Sequence, residues 1–295
     1  MTSLVPPWRP RRFGRRAADR LVRRVEAITG DTIDARLARV RTRRNEVGHD
    51  PFGFDPATAR VALAGAALLH RRYFRTEVFG LTHVPLGRVM IVGNHAGQVP
   101  VDGMILATAL MLDAEPPRFA RSMVERWTAE LPFVSAFFPR VGQVLGAPDN
   151  ARRLLENEEA LLVFPEGVRG ISKTFDQRYR LQPFGRGFMR LAMATATPIV
   201  PVAVIGSEEQ YPSVANLGGV ARRFGMPSLP LLPQVLMGMP LPLPTRYRLH
   251  FGPPMRFRGD PDEEDAVIGV EVERVRGALA GLLHQGLSAR PAVFR

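Results

Sequence analysis

Three apolar runs constrain this chain more than any other feature. Val89-Met90-Ile91-Val92, Ala160-Leu161-Leu162-Val163-Phe164 and Ile199 to Ile205 are continuous rather than alternating. A strand that is apolar on both faces must be covered on both, the condition met by a mainly parallel sheet with helices on either side. Shorter strands are expected at Glu77-Val78-Phe79, Phe119 to Met123, Val141 to Leu145 and Arg246 to Phe251, and a helix or turn at Leu131 to Phe138. Helical patterns cover Asp149 to Glu156, Gly187 to Ala196 and Pro261 to Leu283. The expected fold class is therefore α/β: a mainly parallel sheet flanked by helices over residues 76–295, preceded by a basic helical region over residues 1–75.

Composition narrows the partners. With 295 residues and 45% hydrophobic content the chain can bury a proper core. Its formal net charge of +12 and pI of about 11.3 point to an anionic partner: nucleic acid, an anionic membrane or a phosphorylated cofactor. Lys173 is the sole lysine, so 40 − 1 = 39 basic residues are arginine, a bias that reflects codon usage more than chemistry. Without cysteine there is no disulfide, no thiolate-bound metal and no cysteine acyl-enzyme. The first 50 residues hold 13 Arg against 6 acidic residues, 13 − 6 = +7, with Trp8 and Phe13 among the arginines. No apolar segment of the secretory type follows them.

Leu21, Val22, Val25 and Ile28 share a helical face, as do Ile33, Leu37 and Val40. Such a helix suits the headgroup layer of an anionic leaflet, where each nearby Arg contributes roughly 1 kcal/mol. It equally suits packing on the body of the protein. Asp55-Pro56 starts another helix, whose apolar run Val61 to Leu69 is shorter than the roughly 18 to 20 residues that span a bilayer. The expectation is peripheral association with the cytoplasmic face of a membrane. No recognised nucleic-acid motif accompanies the arginines, so no nucleic-acid partner is expected.

Two stretches carry chemistry. Val92-Gly93-Asn94-His95-Ala96-Gly97-Gln98-Val99-Pro100-Val101-Asp102 puts a histidine just past a strand and a carboxylate at the next helix start. Gly97 and Pro100 favour a turn that returns Asp102 towards His95, where it would fix the imidazole tautomer and leave the other nitrogen to accept a proton. A loop histidine beside a helix-capping aspartate fits the same residues. Phe164-Pro165-Glu166-Gly167-Val168-Arg169-Gly170 also follows a strand, with Arg169 offering a planar fork for phosphate or carboxylate. A structural turn bearing a surface ion pair fits it too.

Taken together with Pro198-Ile199-Val200-Pro201-Val202, these stretches resemble the glycerolipid and lysophospholipid acyltransferase superfamily over roughly residues 75–255. The resemblance implies transfer of a fatty acyl group from acyl-CoA or acyl carrier protein to a lipid hydroxyl, with neither a metal nor a resident cofactor. It implies His95 as general base, Asp102 as its orienter, and Asn94, Glu166, Gly167 and Arg169 around the acceptor. Pro198 and Pro201 would shape the acyl pocket. Six residues separate His95 from Asp102 where the family usually has four, and Pro100 stands where the aspartate is usual. That spacing resembles the branch containing monoacylglycerol and diacylglycerol acyltransferase-like proteins, which opens a neutral glyceride or another lipid alcohol as acceptor. It also leaves open a non-catalytic lipid-binding or membrane-recruitment protein on the same fold. Arg140-Val141-Gly142-Gln143-Val144 matches a further family motif only loosely.

Lys173, Arg178, Arg180 and Arg186 form a basic stretch suited either to CoA phosphates or to solvent. Met226 to Pro244 has too many prolines for a helix and too many leucines for an ordinary exposed loop. An acyl-chain wall, a membrane dip and irregular core packing all fit it.

Overall fold

The computed structural model describes residues 12–40, 42, 50–96, 101–125, 131–223 and 228–294. Trp8, Gly97 and Pro100 lie outside the described residues, as does the side chain of Phe13. The strands are β1 (Glu77–Phe79), β2 (Val89–Gly93), β3 (Ala120–Val124), β4 (Val144–Leu145), β5 (Ala160–Val163), β6 (Ile199–Ile205), β7 (Ala215–Asn216), β8 (Pro230–Leu231) and β9 (Arg248–Phe251). Seven of them form one sheet in the order β1-β9-β6-β2-β5-β3-β4, and β7 pairs with β8 separately. Within the large sheet only β6 and β9 run antiparallel. The sheet is thus mainly parallel, with the three apolar runs adjacent at its centre.

The helices are α1 (Arg12–Thr29), α2 (Ile33–Ala38), α3 (Pro56–Leu68), α4 (Val101–Leu112), α5 (Val134–Phe137), α6 (Pro148–Glu156), α7 (Val168–Ile171), α8 (Gly187–Ala194), α9 (Ser207–Gln210), α10 (Gly218–Arg223), α11 (Pro233–Leu236) and α12 (Asp265–Ser288). Period-two alternation divides the strands between two cores. Met90 and Val92 pack in one cluster with Ile268, Val272, Val275, Leu279 and Leu283 of α12, while Val89 and Ile91 pack in the other with Ile105, Leu106, Ala109 and Leu110 of α4. Burying each such side chain contributes about 1.5–3 kcal/mol.

Helix α4 is apolar all round, so its outer side also needs cover. Met111 and Leu112 obtain it from Val22, Val25, Ile33, Ala64 and Ala67 of the first three helices. The amphipathic helix α1 therefore packs on the body, leaving Leu21 (48%) and Ile28 (41%) exposed on its apolar side. The Val61 to Leu69 run begins within α3, whose N-cap Asp55 accepts from Ala57 N and Thr58 N. No described helix is long and apolar enough to cross a membrane.

Three boundaries differ from expectation for local reasons. Residues 139–141 form a 3-10 turn instead of strand, followed by Gly142 at φ +91, so β4 keeps only two residues. Helix α12 starts at Asp265 and continues to Ser288, since Pro261 lies in a turn ahead of it. Pro201 sits inside the interior strand β6 because β9 leaves that strand there. Gly252 N donates to Pro201 O, and β6 is contacted next through Ile199 and Met255, so no partner is deprived of a donor.

Arg121, to which no sequence pattern drew attention, is wholly buried. Its Nε donates to Glu159 at 2.8 Å, its Nη2 pairs with Asp50, and its guanidinium lies 5.0 Å from the Phe119 ring centre and 5.6 Å from that of Phe54. Burial pushes the Glu159 carboxyl pKa up while Arg121 pulls it down. Removing the cation strands two carboxylates in the interior. Arg121→Met should therefore lose about 3–5 kcal/mol of stability in urea titrations at neutral pH, and a loss under about 1 kcal/mol would show the network to be dispensable.

Candidate active site

The site lies at the C-terminal edge of the sheet, between two neighbouring parallel strands. β2 and β5 run in register from Val89 opposite Ala160 to Val92 opposite Val163. His95 follows β2 and Glu166 follows β5, so both emerge at the same edge. His95 Nδ1 lies 2.7 Å from Asp102 Oδ2 despite the six intervening residues. Asp102 is at the second position of α4 and is fully buried. Its charge is met by Ala96 N at 2.9 Å and Gly103 N at 2.8 Å, and by the positive end of the helix.

With the carboxylate on Nδ1, that nitrogen carries the proton and Nε2 presents a lone pair. Nε2 has no hydrogen-bond partner among the described residues, and the His95 side chain is 14% exposed. Phe164 stacks on the imidazole, with centroids 4.3 Å apart and planes 17° off parallel. Glycines make room for this layer. A Cβ on Gly93 or Gly103 would come within 3.1 or 3.3 Å of the Phe164 ring, and one on Gly170 within 2.8 Å of His95 O. Helix α7 therefore rests directly on His95. The positions of Phe164, Gly103 and Gly170 around the imidazole are tertiary contacts without a sequence signal of their own.

Glu166 and Asn94 each hold backbone at this edge. Glu166 is buried, and its two oxygens accept from His95 N at 2.9 Å and Gln182 N at 2.7 Å. Asn94 is fully buried, donating to Val204 O at 2.9 Å and accepting from Val204 N at 2.7 Å. Each of their polar side-chain atoms already has a backbone partner. The amides of His95 and Ala96 are likewise occupied, so neither is available as an oxyanion donor. Gly167, at φ +55, closes a turn through its N–H to Phe164 O. Arg169 is exposed beside Gly170 and makes no hydrogen bond or ion pair among the described residues.

The two prolines lie further down the sheet than His95. Pro198 is buried beside the start of β2, where its carbonyl accepts from Met90 N. Five residues of extended chain separate that level from His95, roughly 16 Å at strand rise. Pro201 is buried in β6 opposite Val92. Neither borders the imidazole.

Of the basic stretch, Lys173 is buried, 2.7 Å from Glu208 and 3.8 Å from Glu166, which removes it from any CoA-binding role. Arg186 pairs with Asp265, Arg178 lies over the Phe175 ring, and Arg180 is exposed. Among the described residues no group of three or more His, Asp or Glu side chains is arranged to hold a metal ion.

Comparison with known proteins agrees with this architecture. A protein-family profile described as Acyltransferase matches residues 75–205. An uncharacterized Mycobacterium tuberculosis protein is 35% identical over 254 residues, 83% of this chain and 71% of that protein. The mouse 1-acyl-sn-glycerol-3-phosphate acyltransferase alpha is 27% identical over 49% of this chain and 51% of its own length. The crystal structure of the 1-acyl-sn-glycerophosphate (LPA) acyltransferase of Thermotoga maritima aligns with a TM-score of 0.50 at 16% identity, covering 95% of this chain and 98% of that one, a likeness of fold. The chain belongs to the glycerolipid acyltransferase superfamily.

Burial raises the Glu208 carboxyl to about 7, against the pull of Lys173. A folded-state pKa above the unfolded value of 4.5 favours folding fully below that value and less as pH rises through 7. Urea titrations from pH 5 to 8 should show wild type losing stability relative to Glu208→Gln, by up to about 3 kcal/mol. A constant difference between the two proteins would mean that Glu208 does not titrate there. Asn94→Ala, which leaves Val204 N and O unsatisfied, should cost a further measurable 2–4 kcal/mol, on the order of two buried hydrogen bonds.

Proposed function

We propose that this protein transfers a fatty acyl group from acyl-CoA or acyl carrier protein to the hydroxyl of a glycerolipid or lysophospholipid. The observation that carries the proposal is the 2.7 Å contact between His95 and buried Asp102, with Nε2 unclaimed. The acceptor hydroxyl gives its proton to His95 Nε2 as its oxygen attacks the thioester carbonyl. Collapse of the tetrahedral adduct forms the ester and expels the thiolate, which takes that proton from His95 and leaves as the free thiol. Asp102 holds the ring in register throughout and stabilises the imidazolium that forms. No covalent enzyme intermediate or metal is needed.

Arg169, the exposed cation one residue from the His95 contact at Gly170, is placed to hold a phosphate or other polar head of the acceptor. The longer spacing between His95 and Asp102 is the argument for a non-catalytic lipid-binding relative; the close contact of the two side chains favours the enzyme. The lipid acceptor supports work at a membrane surface, and a donor carried on CoA or acyl carrier protein supports its cytoplasmic face.

The test is transfer from radiolabelled palmitoyl-CoA and palmitoyl carrier protein into lysophospholipids, monoacylglycerol, diacylglycerol and a long-chain alcohol. His95→Ala should lower the rate by about 10² to 10⁴. Arg169→Ala should raise KM for phosphate-bearing acceptors and leave that for monoacylglycerol unchanged. Transfer that survives loss of the imidazole overturns the mechanism, and no transfer by wild type from either donor returns the chain to the lipid-binding reading.

A further inference from the structure

Two apolar segments, 131–139 and 228–245, lie in connections on either side of the strands that carry His95 and Glu166. The segment after β3 leaves that edge beyond Val124 and comes back past Phe119, against which Gly142 packs, into the parallel strand β4. The segment between β6 and β9 begins and ends at that edge, because the pair is antiparallel and Ile205 is opposite Arg248. In the sheet order the two lie on opposite sides of β2 and β5, whose ends carry His95 and Glu166. Both expose large hydrophobic side chains. Phe133 is 89% exposed in the first, and Leu236 (73%), Met237 (68%) and Leu241 (70%) are exposed in the second.

These are not loose surface residues. Phe133 is held at φ +65, a conformation disfavoured for a side chain of its size. The second segment is fastened from beneath: Tyr211 Oη donates to Pro240 O, Tyr73 Oη to Pro242 O, and Gln234 Nε2 to Leu241 O. Neither 131–139 nor 228–245 contains a charged residue, in a chain that is 23% charged. Between them the segment after β5 presents Arg169 and Arg180 to solvent. Uncharged apolar tips on either side of exposed arginines match the layers of a lipid leaflet, with acyl chains below and anionic headgroups above.

We propose that this edge is a membrane-docking face: Phe133 on one side and Leu236, Met237 and Leu241 on the other enter the leaflet, and the arginines between them meet anionic headgroups. The inference rests on the reading that the acceptor is a lipid. It turns the sheet edge that carries His95 towards the bilayer, so that the acceptor's head reaches Nε2 while its chain stays in the membrane. The apolar stretch at 228–244 is thereby a docking element rather than core.

The absence of cysteine makes the test direct, since any introduced cysteine is unique. Phe133→Cys, Leu236→Cys and Leu241→Cys are each labelled with an environment-sensitive nitrobenzoxadiazole dye, alongside Glu263→Cys at the opposite edge. They are mixed with phosphatidylcholine vesicles with and without phosphatidylglycerol. The three edge labels should shift to the blue and be quenched by brominated lipid, more strongly with phosphatidylglycerol and less at high salt, while the label at 263 stays unchanged. Replacing Leu236 and Leu241 with Ser should weaken vesicle partitioning by roughly tenfold per leucine. The same variant should keep full transfer to a short-chain, monomeric acceptor, which separates docking from catalysis. Edge labels that remain solvent-like on vesicles overturn the proposal, and a shift on concentrating the protein alone assigns the face to a second copy of the chain instead. Vesicle binding is read without turnover, so failure of the proposed reaction leaves this result interpretable.

Discussion

The carboxylate of Glu166 holds the site together. Beyond the end of a parallel strand the backbone loses its ladder partners, and a buried amide left there costs about as much as a broken hydrogen bond. Glu166 takes the amide of His95 with one oxygen and that of Gln182 with the other, joining the segment after β2 to the turn after β5 and to the approach to α8. Its own burial requires compensation, and the ammonium of Lys173 lies nearby, shared with Glu208. The imidazole is therefore positioned by a carboxylate it never touches with its ring, through the backbone, while a second carboxylate orients the ring itself. Networks of this kind are rigid only when every member is satisfied.

The same logic of cover explains the outer layers. Continuous apolar strands call for helices on both faces, and α4, placed to cover one face, is itself too apolar to meet water on its far side. The first three helices supply that cover. The basic N-terminal region is thus part of the architecture that fixes α4, and with it Asp102 at the helix start.

Much of this was legible in the residues, and the boundary of legibility is physical. The run Ile199 to Ile205 is β6 residue for residue because Pro198 and Gly206 bound it and local pattern suffices. The approach of Asp102 to His95 could be read as a possibility from a turn containing glycine and proline, since it spans seven positions. The partners of Asn94 and Glu166 could not. Asn94 bonds a residue 110 positions away and Glu166 bonds the His95 amide across 71, contacts that only the sheet order creates. A polar side chain beside a candidate catalytic histidine reads as a ligand for substrate, and here two such side chains hold backbone. Arg121 stayed invisible because nothing in its neighbours marks one arginine among 39 as buried.

Lys173 has a further consequence as the only lysine in a chain without cysteine. Thioesters acylate accessible amines and thiols without enzymatic help, so the proposed reaction would bring a modifying reagent to the protein that runs it. Here the Lys173 side chain is buried, with Nζ 2.7 Å from Glu208 and 3.8 Å from Glu166, while the guanidinium of arginine is a poor acyl acceptor. No lysine amine and no thiol stands in the path of the acyl group.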